Sequence, residues 1–127
     1  MINLRTMEII ATAFGNGSTH DYRLFKENYA GITQDILCLA DTGYLGINKL
    51  HANSQIPAKK SKLHPLTPEQ KVTNRKLASK RIFCEHIIGR LKVFRILGDR
   101  YRNRRKRFGL RFNLIAAIYN LELQAKA

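Results

Sequence analysis

The strongest structural signal in the sequence is the start of a long helix at residue 67. Thr67 stands before Pro68, and Gln70 follows three residues after the threonine. This is the pattern of an N-cap, a proline at the first helical position and a capping-box partner. No proline follows Pro68, so the pattern predicts a helix over residues 68–96, with a weak point at Gly89. The chain has 127 residues, which fits one domain or part of one.

Two faces of this predicted helix differ in character. Successive helical residues are turned by about 100°, which places four apolar side chains in one stripe: Phe83, Ile87, Leu91 and Phe94. We expect that stripe to pack on a sheet. Arg81, Glu85 and Lys92 share a different, exposed line, and their spacing is able to form a site. The same spacing is typical of a solvated face with an Arg81–Glu85 pair worth about 0.3–0.5 kcal/mol. Both interpretations remain open.

The first third of the chain reads as strand, helix and strand. Residues 7–14, MEIIATAF, predict a strand that ends in a glycine-rich turn. Ser18 or Thr19 can then cap a short helix with Asp21 in its first turn. Residues 35–40, DILCLA, are almost wholly apolar, which is typical of a strand covered on both faces. This order predicts an α/β class with a βαβ crossover.

Asp41 directly follows the second predicted strand. Gly43 and Gly46 break the chain after it, and residues 51–66 predict a loop. In open α/β sheets, ligands bind outside the carboxyl ends of the strands, so an acid at this point is a candidate ligand or catalyst. An ordinary Asp-x-Gly turn explains Asp41 equally well at this stage.

Positive charge is concentrated in the second part of the chain. The formal charge is +14, yet residues 1–57 hold 4 basic and 5 acidic residues, whereas residues 58–127 hold 19 basic and 4 acidic residues. Such a one-sided basic region is typical of a protein that binds nucleic acid. A solubilising surface is the plainer alternative. We favour nucleic acid because YRNRRKR, residues 101–107, crowds cations that repel one another unless a partner neutralises them.

Membrane and disulfide chemistry have little support in the sequence. No apolar run approaches the roughly 20 residues that cross a bilayer, and the first residues lack the pattern of a signal peptide. The last predicted helix carries Arg107 and Arg111 only at its start, unlike a helix that lies on a membrane. Cys38 and Cys84 have no CxxC partner, so we expect reduced thiols. The sequence thus predicts a cytoplasmic protein with no membrane partner.

Several motifs together resemble a known family. Arg81, Glu85 and Lys92 reproduce most of a Tyr, two, Arg, three, Glu, six, Lys signature, with Ala78 at the tyrosine position. The chain is thereby identified as similar to bacterial insertion-sequence transposases of the DDE superfamily, which are related to Harbinger-type nucleases. The resemblance also covers these stretches: GNGSTHDYRLFKE, LADTGYLG, IPAKKSK and RYRNRRKRFGLRFNLIAAIYNLEL.

The resemblance implies a ribonuclease-H-like fold and a catalytic Asp, Asp, Glu set. By matching motifs, Asp41 corresponds to the second Asp and Glu85 to the Glu, both as ligands of Mg²⁺ or Mn²⁺. Arg81 and Lys92 would bind phosphate or the DNA end. The basic run would hold the DNA backbone without reading its sequence. Its implied DNA-binding residues are Arg102, Arg104, Arg105, Lys106 and Arg107.

The first Asp of the family pattern is expected upstream of residue 7, in a part of the fold that this chain lacks. His20 and Asp21 match a family motif outside the catalytic set and are expected as active-site neighbours. Residues 1–127 are therefore expected to be the C-terminal part of one catalytic domain: a partial ribonuclease-H-like fold, β-α-β followed by a long helix and a C-terminal helix, without the N-terminal strands. Residues 58–127 form its strongly basic helical part.

Two functions follow from this expectation. Either the chain is the C-terminal part of a metal-dependent transposase, incomplete by itself, or it is a non-catalytic basic DNA-binding remnant. A decayed gene and a frameshifted second reading frame both fit the first description. DNA is the expected partner, together with a second copy of the chain or an upstream transposase segment.

Overall fold

The computed structural model describes residues 1–15, 17–29, 31–98 and 107–126. These residues form a mixed α/β structure, as the sequence predicted at the level of class. Contacts divide the chain into two compact units: unit 1 contains Met1–Phe14 and Lys80–Ala127, and unit 2 contains Gly15–Ser79. The described elements are, in chain order, α1 (Asp21–Glu27), β1 (Cys38–Leu39), two 3-10 turns (Thr42–Tyr44 and Ile47–Lys49), β2 (Ser54–Gln55), α2 (Pro68–Leu91), α3 (Arg95–Gly98) and α4 (Phe108–Ala125).

Helix α2 begins as predicted. The hydroxyl of Thr67 accepts the N–H of Gln70 at 3.2 Å, and the Gln70 side chain accepts the N–H of Thr67 at 3.0 Å. This is the capping box in both directions. The helix passes through Gly89 and ends at Leu91, so the predicted end near residue 96 is wrong. The N–H groups of Val93 and Phe94 bond only three residues back, to Arg90 and Leu91, which closes the helix in a tight turn before α3.

Unit 1 is organised around a small apolar core. Ile87 and Leu91 of α2 pack with Ile115 and Tyr119 of α4, and all four are buried. Partly buried side chains surround them: Ile2, Met7, Ile9, Ile96, Leu97, Phe112 and Leu123. The predicted apolar stripe of α2 is therefore half right, because its other two members, phenylalanines 83 and 94, are exposed. Its packing partners are a helix and the first residues of the chain, and not a sheet.

The predicted strand over residues 7–14 does not form. This segment turns back on the start of the chain through one isolated antiparallel bridge between Ile2 and Ile9. The side chain of Asn120 accepts the N–H of Ile9 and donates to its carbonyl, both at 2.9 Å. An asparagine amide of α4 thus occupies the backbone groups that a neighbouring strand would bond. Further along, the ring of Phe14 packs edge to face on Phe112.

The sheet lies in unit 2 and is short. Strand β1 pairs in parallel with β2, with Cys38 opposite Ser54 and Leu39 opposite Gln55. The partner of β1 therefore follows it in the chain, and the prediction of an unbroken loop over residues 51–66 is wrong. The prediction that residues 35–40 are covered on both faces is also wrong, since Ile36 and Leu37 are exposed.

A buried histidine connects the segments of unit 2. His51 is fully buried, its Nε2 lies 2.6 Å from the carbonyl of Ile36, and its Nδ1 lies 3.0 Å from the hydroxyl of Tyr29. The carbonyl can only accept, so Nε2 donates the proton.

Elsewhere in unit 2, the side chain of Asn74 accepts the N–H of Ala58 and donates to its carbonyl, both at 2.9 Å. This bond pair fixes the segment after β2 to α2.

Candidate functional site

The first predicted catalytic acid, Asp41, lies in a tight turn just beyond the carboxyl end of β1. It is half buried and occupies the N-cap of the first 3-10 turn, where its side chain accepts the N–H of Thr42. The hydroxyl of Thr42 donates to the same oxygen, Oδ1, at 3.1 Å. These bonds orient the carboxylate against its own backbone. Asp41 therefore makes the turn that the sequence allowed, at the position in a parallel sheet where ligands bind.

The first turn of α1 lies beside the Asp41 turn. The cap of α1 is His20, whose Nδ1 accepts the N–H of Tyr22 at 3.2 Å, so the predicted caps Ser18 and Thr19 are wrong. Asp21 occupies the first turn, as predicted. A Cβ placed on Gly43 would lie 3.6 Å from Cε1 of His20, which puts the imidazole ring against the Asp41 turn. Because Nδ1 accepts, the neutral ring carries its proton on Nε2.

Tyr44 adds a phenol to this cluster. Its ring packs edge to face on Tyr22, with centroids 5.8 Å apart. Burial raises the pKa of the Tyr44 hydroxyl above its ordinary value, and the negative charges of Asp21 and Asp41 raise it further. Both carboxylates therefore act on one hydroxyl. Asp21, Asp41 and Tyr44 therefore share one local electrostatic environment. We call these three residues, together with His20, the acidic turn cluster.

Gly46 shapes the far side of this turn. Its φ is +89°, a left-handed conformation that side chains with a Cβ rarely adopt. A Cβ at this position would lie 3.5 Å from the hydroxyl of Tyr22. The second glycine of ADTGYLG is therefore required by backbone conformation, and the turn approaches α1 closely at this point.

The second predicted acid, Glu85, belongs to unit 1. It is exposed on α2, and Arg81, one turn earlier, is half buried. Lys92 follows the last residue of α2, is exposed, and donates its N–H to the carbonyl of Ile88 at 3.1 Å. Two members of the predicted motif thus lie within the helix and one lies in the turn after it. Their predicted roles in metal and phosphate binding remain predictions.

The acidic turn cluster has the donor chemistry of a hard-cation site but few donors. Carboxylate oxygens are the ligands that Mg²⁺ and Mn²⁺ prefer, and Asp21 and Asp41 supply two carboxylates. Across residues 1–15, 17–29, 31–98 and 107–126, the structure contains no group of three or more His, Cys, Asp or Glu side chains placed to hold a metal ion. The residues fit such an ion by chemistry, and a complete site would need further ligands.

Exposed basic residues lie in the segment after β2, along α2 and at the start of α4. Lys59, Lys60 and Lys62 are exposed in the segment after β2, and Arg107 is exposed at the start of α4. Four predicted DNA-binding residues lie outside the described residues: Arg102, Arg104, Arg105 and Lys106.

No helix in the part of the chain that the structure describes is long and apolar enough to span a bilayer. Cys38 and Cys84 are half-buried free thiols.

Sequence reasoning missed Tyr44 and the buried His51. Tyr44 stands within ADTGYLG, three residues after Asp41, and this short spacing was the signal that could have connected it to the acid. His51 had no such signal, because it lies in a proline-containing stretch without periodicity. The partners of its ring, Tyr29 and Ile36, lie well before it in the chain.

The chain belongs to the DDE superfamily endonuclease family, whose family model matches residues 5–120. This confirms the family that the linked motifs indicated. Over all 127 of its residues, the chain is 49% identical to a probable transposase for insertion sequence element IS702 from Microchaete diplosiphon. It spans 46% of the length of that relative. No solved structure matches the chain.

Proposed function

We propose that this chain is the C-terminal part of the catalytic domain of a metal-dependent DNA transposase, and that it is catalytically incomplete by itself. The observation that carries the proposal is the position of Asp41. In a chain of the DDE superfamily endonuclease family, this acid stands just beyond the carboxyl end of a parallel strand, half buried and oriented by Thr42. The proposal includes a ribonuclease-H-like fold for the whole domain.

Asp41 and Glu85 are the proposed metal ligands in this function. Bound Mg²⁺ or Mn²⁺ would activate the attacking water or 3′-hydroxyl and stabilise the leaving oxygen of the phosphodiester. Thr42 holds the Asp41 carboxylate in one orientation, and the His20 ring packs at the edge of the same turn. Asp21 follows His20 in the first turn of α1. Arg81 and Lys92 are proposed to bind phosphate, where positive charge offsets the negative charge that grows during phosphoryl transfer.

DNA is the proposed partner, and the charge distribution supports it. Residues 58–127 carry 19 basic against 4 acidic residues, and Lys59, Lys60, Lys62 and Arg107 are exposed. Binding that neutralises phosphates weakens steeply as salt rises, because it releases condensed counterions. A protein that acts on chromosomal DNA in this way would work in the bacterial cytoplasm.

The same charge favours a second candidate function, in which the chain binds DNA without cutting it. Binding of this kind needs the cations but neither acid. It would let the chain occupy transposon ends or nonspecific DNA. The two functions differ only in their dependence on Asp41, Glu85 and divalent metal.

A chimaera tests the two functions against each other. In the IS702 relative, this chain would replace the matching 46% of the sequence, and cleavage of the ends of that element would be measured with Mg²⁺ and Mn²⁺. We expect metal-dependent cleavage that Glu85→Gln and Asp41→Asn abolish. Glu69→Gln is the matched control, because Glu69 is an exposed acid in the first turn of the same helix.

Each outcome separates the candidates. Equal cleavage by the Glu85→Gln and Glu69→Gln chimaeras would rule out a metal role for Glu85. A chimaera that binds the ends in a salt-dependent manner, yet cuts them with neither metal, would favour the binding-only function. Unimpaired cleavage by Asp41→Asn would contradict the role of the acid on which the proposal depends.

A further inference from the structure

Three lysines stand close together in the segment that joins β2 to α2. Lys59, Lys60 and Lys62 are all exposed, and residues 56–66 contain no Asp or Glu. Among the residues that the structure describes, none of the three lysines belongs to an ion pair. Like charges so close in sequence repel one another, and the surrounding segment supplies no anion to offset them. We call residues 59–62 the lysine loop.

Helix α2 holds the start of the lysine loop in place. The side chain of Asn74 accepts the N–H of Ala58 and donates to its carbonyl, both at 2.9 Å. Ala58 is the residue directly before the loop, and Pro57 before it has a fixed φ. The pair of amide bonds and the proline both restrict the backbone where the loop begins. The lysine loop is therefore attached to α2 at one defined point.

A tight turn orders the other end of the lysine loop. The N–H of Ser61 donates to the carbonyl of His64 at 3.2 Å, and the N–H of His64 donates to the hydroxyl of Ser61 at 3.0 Å. These two bonds bracket Lys62, whose side chain stays exposed. The loop thus has a defined shape without a ligand. A loop that is ordered before it binds a ligand loses less conformational entropy on binding.

The phosphate backbone of DNA is a ligand that fits this chemistry. A lysine ammonium binds phosphate as a compact charge with three N–H donors. Duplex DNA carries one negative charge per roughly 1.7 Å of its axis, so side chains from neighbouring residues can reach separate phosphates. Lys71 of α2 adds an exposed cation beside Asn74, since residues three apart are neighbours on a helix surface. Contacts of this kind position DNA without reading its sequence.

We propose that the lysine loop is a preformed binding site for the phosphate backbone of duplex DNA, and that Asn74 is the residue that positions it. The inference rests on the proposed DNA partner, and it adds a contact surface outside the predicted DNA-binding residues of the helices and the basic run. It uses neither Asp41 nor Glu85, so binding at the loop does not need divalent metal. Asn74 carries no charge and acts through Ala58 alone.

Binding of the 127-residue chain to a labelled DNA duplex of arbitrary sequence, measured by fluorescence anisotropy over a range of salt, tests the proposal. One variant combines Lys59→Gln, Lys60→Gln and Lys62→Gln. Its control combines exchanges that remove the same charge from exposed positions elsewhere: Lys26→Gln, Lys49→Gln and Lys126→Gln. We expect the loop variant to lower the slope of log affinity against log salt by about two to three, because each lost phosphate contact removes about one. The control should lower this slope by less than about one.

The outcomes separate the lysine loop from the proposed DNA partner. Equal changes of slope in the two triple variants would overturn the loop as a site, because net charge alone would then explain the binding, and DNA would remain the partner. A loop variant that binds like the wild type would overturn it in the same way. If the wild-type chain binds no duplex even at low salt, the proposed partner and the lysine loop fail together. Circular dichroism of both variants checks that the helices remain folded.

A single exchange tests the positioning role of Asn74. Asn74→Ala should weaken DNA binding by about three- to tenfold at unchanged charge, because the loop must then be ordered during binding. Asn120→Ala is the matched control: it removes the same pair of bonds from Ile9, in a segment without lysine, and should leave DNA binding unchanged. In the triple loop variant, Asn74→Ala should have no further effect, since it acts only through those lysines. Equal DNA binding by the Asn74→Ala and Asn120→Ala chains would contradict the positioning role.

Discussion

The two units of this chain are stabilised by different kinds of interaction. Unit 1 buries a continuous apolar cluster between α2 and α4, whereas the fully buried side chain of unit 2 is His51, held by Ile36 and Tyr29. Apolar contacts lose stability in proportion to the atoms removed, but a buried polar group costs most when one partner is removed and the others are left unpaired. The unit that contains Asp41 therefore includes a buried polar network, which depends on hydrogen-bond geometry, beside its buried apolar side chains Ile47 and Leu77.

The largest expected loss comes from the apolar core of unit 1. Ile115→Ala should destabilise that unit by about 2–5 kcal/mol, because it leaves a cavity between α2 and α4. Amide hydrogen exchange, measured for each unit, would show the opening free energy fall in residues 80–91 and 108–125. Val93→Ala is the control, since Val93 is 80% exposed. Equal losses for the two variants would mean that Ile115 is not part of a packed core.

His51→Ala should weaken unit 2 by a smaller amount. We expect about 1–3 kcal/mol, because the Ile36 carbonyl loses its donor and the Tyr29 hydroxyl loses one of its partners. The effect should appear in the exchange of amides within residues 31–55. His64→Ala, at an exposed loop position, should change stability by less than about 0.5 kcal/mol. If His51→Ala behaves like this control, the polar network does not stabilise unit 2.

Asparagine side chains give the closest comparison between the units. Asn120 bonds both backbone groups of Ile9 in unit 1, and Asn74 does the same for Ala58 in unit 2, all at 2.9 Å. Asn120→Ala and Asn74→Ala should each cost about 1–2 kcal/mol, as two modest hydrogen bonds are lost. Chemical denaturation measures both, with exposed Asn48→Ala as the control. Markedly unequal losses would show that the same bond pair is not equivalent in the two units.

The smallest expected effect is a pH dependence in the acidic turn cluster. The raised pKa of Tyr44 means that folding disfavours tyrosinate. The contribution of the neutral Tyr44 hydroxyl to folding stability is fully present below the ordinary tyrosine pKa of about 10. This contribution is lost as pH rises through the higher pKa of the folded state. Stability should therefore fall above about pH 10 in the wild type, and fall less in Tyr44→Phe.

Ultraviolet titration of tyrosinate gives the control for this prediction. Asp41→Asn and Asp21→Asn should each bring the pKa of Tyr44 closer to its ordinary value, because each removes one of the nearby negative charges. If neither variant changes the pKa of Tyr44, the two carboxylates do not act on its hydroxyl, and the acidic turn cluster is not a functional unit.

Local patterns predicted the fold where neighbours in sequence supply the contacts. The capping box at Thr67 and Gln70 and the helix of Asp21 depend on residues within one turn, and both are present. The helical period also selected Ile87 and Leu91 as core residues. The same period could not tell that α4 would cover them, because that contact joins positions far apart in the chain.

The errors in predicting strands share one physical cause. Residues 7–14 have the composition of a strand, but their backbone meets the amide of Asn120, a residue more than a hundred positions away. Strand β2 forms in a stretch without strand character because β1 supplies a parallel partner. Strand formation depends on what lies beside the segment, which composition alone does not encode.

The candidate site was predicted by resemblance more than by pattern. From local sequence, Asp41 could be either an ordinary turn residue or a ligand. In the structure it caps a tight turn just beyond the end of β1. His20 was expected near the active site, and its ring packs against the Asp41 turn. Tyr44 was missed because its raised pKa depends on burial and on the charges of Asp21 and Asp41, which local sequence does not show. The metal role of Glu85 rests on the family motif and remains a proposal.

We propose that Asp41 and Glu85 bind the same metal ions, and paramagnetic broadening by Mn²⁺ tests this proposal most directly. The chimaera would be labelled with ¹⁵N in histidine: His20 reports on the Asp41 turn, His86 adjoins Glu85, and exposed His64 is the control. We predict that His20 and His86 broaden together, and that either Asp41→Asn or Glu85→Gln removes both effects. Broadening of His20 that persists unchanged in Glu85→Gln would contradict the account.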